Sequence, residues 1–173
     1  MTTVIDGTSG VTTPSGAIYN GIASGTAVAT TSGTAFDFTA IPSWVKRITV
    51  IMSGLAYGSS ILRIQLGTSS GIENTGYKST GNRFGLTSND QNSSVAEFVL
   101  NGVSTSSGSA TAIITNLVGS NIWTYSSSAT DGTVQGMHMG AGTKTVVSTL
   151  DRIRISTTGS TSFTTGSINI LYE

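Results

Sequence analysis

"KRITVIMSG" (residues 46–54) decides the fold. Ile48, Val50 and Met52 recur at every second position, which places them on one face of an extended strand; a helix would need apolar residues three and four apart. The next apolar stretch, "ILRIQLG" (61–67), repeats the pattern with Leu62, Ile64 and Leu66 on one side and Arg63 and Gln65 on the other. In "AFDFT" (35–39), Phe36 and Phe38 share a face and Asp37 points away. Further out, "VAEFVLNG", "SATAIITNLVG", "NIWTYSSS", "KTVVSTL", "DRIRIS" and "SINILYE" are strand-length runs, with Ile153 and Ile155 alternating in the fifth. The linkers between them are built from Gly, Ser, Asn and Asp. About eight to ten short strands at this spacing predict an all-β fold, an antiparallel β-sandwich or jelly roll. Its expected core is Phe36, Phe38, Trp44, Ile48, Val50, Leu62, Ile64, Leu66, Ile153 and Ile155.

Composition agrees. The 173 residues fit one domain, and the 22 glycines against 2 prolines mark a turn-rich chain. Only 9% of residues are charged, against about 25% in an average domain. Eight basic and eight acidic residues cancel, which gives no basis for capturing nucleic acid or an anionic membrane by charge. With no cysteine, stability must come from the core or from self-association. No basic-then-apolar leader opens the chain and no apolar run has the roughly 18 residues of a membrane span. The expectation is a soluble protein made in a cytoplasm.

The opening "VIDGTSGVTTPSGAIYNGI" (4–22) is poor in large apolar residues and carries turn signals at Asp6-Gly7 and Pro14. Alone it does not recover the entropy lost on ordering. The chain therefore divides into an N-terminal arm, 1–25, and a sandwich domain, 26–173. Val4, Ile5, Asp6 and Gly7 are the candidate partner-binding residues of the arm, with Val4 and Ile5 adding a strand to a foreign sheet edge.

Catalytic chemistry finds little support. His138 is the single histidine and no Gly-x-Ser-x-Gly elbow accompanies it. The acids are scattered, leaving a carboxylate-pair glycan hydrolase as a minor alternative, and phosphate-binding loops are absent. No enzyme activity and no cofactor is expected. "GMHMG" (136–140) sets His138 opposite Met137 and Met139, so a metal could be held only if three copies of His138 met on a threefold axis. Asn89, Asp90 and Asn92 form a polar stretch with oxygens suited to calcium. Trp44, after Pro42, and Trp123 read as core rather than as sugar platforms. Tyr57, Tyr77 and Tyr125 lie near loops and are the better candidates for an exposed surface.

"GTAFDFTAIPSWVKRITVIMSGL" (33–55), "ILRIQLGTSSGIENTGY" (61–77), "STLDRIRISTTGSTSFTTGSINILYE" (148–173) and the opening "IDGTSGVTTPSGAIYNGI" (5–22) together resemble a β-rich module of tailed-bacteriophage and prophage structural proteins. The most specific parts are Ile41 to Arg47 and the terminal strand. The resemblance implies a virion location and, from phage surface modules generally, a homotrimer. Its partners would be other virion proteins, a major capsid protein or a tail protein. Two roles follow: a capsid decoration (cement) protein anchored by its arm, or a tail-fibre tip that touches a host-surface receptor, glycan or protein. The module usually ends a longer fibre, whereas here it begins shortly after Met1, and this favours decoration.

Overall fold

The computed structural model describes residues 4–6, 10–12, 21–58, 60–85, 89–100, 107–130, 132 and 136–173. In chain order the strands are β1 (Val4–Asp6), β2 (Gly10–Thr12), β3 (Ala23–Ser24), β4 (Val28–Ala29), β5 (Ala35–Phe38), β6 (Arg47–Ala56), β7 (Leu62–Thr68), β8 (Gly71–Ile72), β9 (Tyr77–Gly85), β10 (Asn89–Ser94), β11 (Phe98–Val99), β12 (Gly108–Asn116), β13 (Ile122–Thr130), β14 (Gly136–Thr145), β15 (Arg152–Thr157) and β16 (Thr165–Tyr172). The protein is an all-β sandwich of antiparallel sheets, with no helix among the described residues. A nine-stranded sheet runs β10-β9-β14-β13-β12-β6-β16-β3, with β4 also on β16. A five-stranded sheet runs β11-β7-β15-β5, with β8 on β7.

Period-two alternation is what closes the two layers. Ile48, Val50 and Met52 of β6 point inward with Ile114, Ile168 and Ile170 from its neighbours. Facing them from the smaller sheet are Leu62, Ile64, Leu66, Ile153, Ile155 and Phe38, all buried. Phe36 is half-buried and packs edge-on against Phe163, ring centroids 5.2 Å apart. Trp123 is buried in the same core.

The two sheets approach closely above β14. There the inward positions are Gly140 and Gly142, and Phe98 of β11 lies against them. A Cβ on Gly140 would stand 2.7 Å from the Val99 carbonyl oxygen, and one on Gly142 would stand 2.6 Å from the Lys78 carbonyl oxygen and 3.0 Å from the Phe98 ring. Phe98 in turn stacks on Tyr125 at 4.6 Å and meets Tyr77 edge-on at 5.0 Å.

Several sequence expectations are corrected here. Trp44 does not plug the sandwich: it is 51% exposed, because a turn closed by Val45 N–H donating to the Pro42 carbonyl at 3.0 Å gives the inward places to Ile41 and Val45. Tyr57, Tyr77 and Tyr125 are buried, not displayed. Asn89, Asp90 and Asn92 lie on a strand, β10, where alternation sends Asn89 to the opposite face from the other two, and Asp90 pairs with Arg83 at 3.6 Å. The sandwich also begins earlier than residue 26, since Ala23–Ser24 already pairs with Leu171–Tyr172. In the arm, Val4–Asp6 pairs with Gly10–Thr12 as a two-stranded sheet of its own, so one edge of β1 is occupied within the arm; Gly7 lies outside the described residues.

Two mutations test this packing. Gly142→Ala should cost about 1–3 kcal/mol by urea unfolding, since a methyl group must displace main chain, while Gly21→Ala, with nothing within 4 Å, should change stability by less than about 0.5 kcal/mol. Trp44→Ala should stay soluble and folded and lose no more than about 1 kcal/mol, because half of its side chain already faces water.

Candidate functional site

Several segments at one end of the sandwich carry large exposed apolar residues. β6 and β13 start at this end, β12, β14 and β16 finish there, and β9 begins beside the end of β14. The arm joins the sandwich at the same end, because Ala23 lies opposite Tyr172 and Glu173 is hydrogen-bonded to the start of β6. We call it the arm end.

Three of the loops there turn an apolar side chain outward for a local reason. Ahead of the Pro42 turn, Ala40 takes a left-handed φ of 59° and Ile41 N–H donates to the Asp151 carbonyl, which fixes the turn that exposes Trp44. Between β12 and β13, Ser120 Oγ donates to the Leu117 carbonyl at 2.6 Å and accepts from Ile122 N–H. Asn116, buried beneath, donates to the Ser120 and Ile122 carbonyls. This tight loop has no inward place left for Leu117 or Val118, and both are exposed. After β14, Val146 takes the core position, and Val147, 78% exposed, projects outward while its N–H donates to Glu73 Oε1 at 3.0 Å. Val95, before β11, and Ile22, at the arm junction, are also exposed. A pocket of about 130 Å3 lies among these loops, lined by Ile41, Pro42, Lys46, Asn116, Ser120 and Trp123.

Electrostatics at this end are closed off locally. Glu73 and Lys144 form a buried ion pair at 2.5 Å, with the ammonium 5.3 Å from the Tyr77 ring centre. The Tyr77 hydroxyl accepts from Leu66 N–H and donates to the Glu73 carbonyl, and burial pushes its phenol above the usual range, so it stays a neutral donor. Arg47 meets Glu173 and Arg152 meets Asp151. Across the molecule, the carboxylates of Asp37, Glu73, Asp90, Glu97, Asp151 and Glu173 each lie 2.5–3.6 Å from a cation. Each therefore neutralises an Arg or Lys.

His138 is corrected as a threefold-axis ligand: it is 1% exposed, on the inward face of β14, while Met137 and Met139 face solvent. An imidazole enclosed by its own subunit is not presented to other copies. Among the described residues no group of three His, Cys, Asp or Glu side chains forms a metal site. Val4, Ile5 and Asp6 sit in β1, on the segment that leads into the arm end. The apolar loops were missed because "NLVG" and "TVVS" read as continuations of their strands, although a Gly after two aliphatics (Gly119) was a usable turn signal. No protein-family model matches the chain, and no curated protein matches it.

Proposed function

We propose that this protein is a non-enzymatic surface component of a tailed-bacteriophage virion, a homotrimeric capsid decoration protein held on the particle by its N-terminal arm. One observation carries the reading: the arm joins the sandwich at the end whose segments expose Ile22, Trp44, Val95, Leu117, Val118 and Val147. Large apolar side chains displayed at one end, beside the arm, favour a contact surface there. A tether and an apolar contact surface on one side suit attachment to a support, with the tether raising the effective concentration of the contact. Resemblance to phage structural modules supplies the virion setting. The ion-paired carboxylates favour a structural part over a hydrolase.

The test uses undecorated heads. Full-length protein mixed with them should sediment with the particles, while a chain lacking residues 1–20 should remain in the supernatant with unchanged melting. Ile5→Pro should weaken attachment as the deletion does, because Ile5 lies opposite Val11 in the β1–β2 ladder. Equal pelleting of intact and arm-deleted protein would remove the arm as anchor. Failure of both to pellet, with soluble protein competing against phage for host cells, would move the protein to the tail tip.

A further inference from the structure

The two outer faces of the sandwich are unlike. The smaller sheet carries its charges outside, with Arg154 bound to Asp37 through two 2.7 Å contacts and Arg63 near Glu97. On the nine-stranded sheet, the register assembles the outer side chains into cross-strand rows. One row is Lys78–Thr143–Thr124–Thr115–Arg47, at the arm end. The next three are Thr80–Ala141–Ser126–Ile113–Thr49–Leu171, Asn82–Met139–Ser128–Thr111–Ile51–Asn169 and Phe84–Met137–Thr130–Ser109. Those three rows contain no Asp, Glu, Lys or Arg. Exposed soluble surfaces usually hold about 25–35% charged residues.

Within this uncharged field Phe84, Met137 and Met139 are cross-strand and same-strand neighbours, each about half exposed. Ile51 lies in the Met139 row three strands away, about 14 Å at ordinary strand spacing. Between them is a shallow groove floored by Ser128, Thr111 and Thr130.

We propose that this face is where copies of the chain meet, the occupant being a second copy of the same protein. The proposal rests on the homotrimeric assembly proposed above and deepens it by naming the surface. Two arguments select a second copy. The three uncharged rows, over the strands from β10 to β16 at about 4.8 Å spacing, span roughly 34 by 17 Å, or about 600 Å2, which over two copies reaches about 1,200 Å2, the lower end of stable interfaces. A face without charge also packs against a second copy with no like-charge repulsion, and hydroxyl rows supply both donors and acceptors for the neighbouring copy. A strongly charged partner would find no counter-charge in these rows.

Sedimentation of the full chain at roughly 50 μM, read against the 17.6 kDa monomer mass, tests this. Wild type should run as a multimer. Met139→Lys and Thr111→Lys, both at exposed positions, should each reduce it to monomer with melting within a few degrees of wild type, because each lysine would be buried in the contact without a counter-charge. Val118→Lys, at the arm end, should leave the multimer intact. A multimer that survives both face substitutions overturns the proposed surface while leaving self-association standing. A multimer broken by Val118→Lys moves the contact to the arm end and also overturns it. A monomeric wild type overturns both the surface and the homotrimer, without bearing on whether the arm binds heads.

Discussion

The sandwich is closed by Phe98 and Val99 lying over Gly140 and Gly142 of β14, inward positions without side chains. β11 is the edge of the smaller sheet and pairs only with β7, so half of its main-chain groups have no ladder partner. The opposite sheet supplies them: Ser79 Oγ accepts from Val99 N–H at 3.0 Å, and the Tyr125 hydroxyl donates to the Val99 carbonyl at 3.1 Å. Those bonds form only because Gly140 and Gly142 let the layers approach. Leaving the two groups unpaired in a dry interior would cost on the order of 1–3 kcal/mol each. Burial holds the Tyr125 phenol well above its usual range, which keeps the donor protonated. The Phe98 ring, between Tyr77 and Tyr125, fills the space that the glycines vacate.

The same contact fixes the arm end. Tyr77 reaches from the Phe98 cluster to Leu66 and Glu73, and Glu73 binds both Lys144 and the main chain of Val147. A chain of bonds therefore runs from the centre of the sandwich to one of its exposed apolar loops. Removing either Glu73 or Lys144 would leave a buried charge alone, at about 3–5 kcal/mol, so the loop that displays Val147 is held rigidly.

The strands were legible because a two-residue period is a geometric property of extended chain, and Ile48, Val50, Met52, Leu62, Ile64 and Leu66 obey it without interruption. What hydrophobicity alone could not assign was which side of an alternating pair faces in. In "GMHMG" the polar His138 is inside and the methionines outside, and the deciding signal is Gly140 and Gly142, which share the histidine's face and mark it as crowded. Trp44 misled for a related reason. Its transfer energy favours burial, but the turn that contains it has only two inward places, and Ile41 and Val45 fill them. The tyrosines failed in the opposite direction: their hydroxyls found main-chain partners inside, which sequence position near a loop does not reveal.

An attached assembly must place its contact surfaces without conflict, and the two proposed here point along different directions. The arm end looks along the strands, whereas the uncharged face looks perpendicular to them. Rotation about an axis parallel to the strands repeats the face around that axis and leaves every arm end pointing the same way, whether two or three copies join. Rotation about an axis perpendicular to the strands would send arms out on opposite sides, and one flat support could then hold only some of them. Attachment of all arms to one particle therefore selects a symmetry axis along the strands, with Met139 and Thr111 near the contacts between copies and Trp44, Val118 and Val147 on the side of the support.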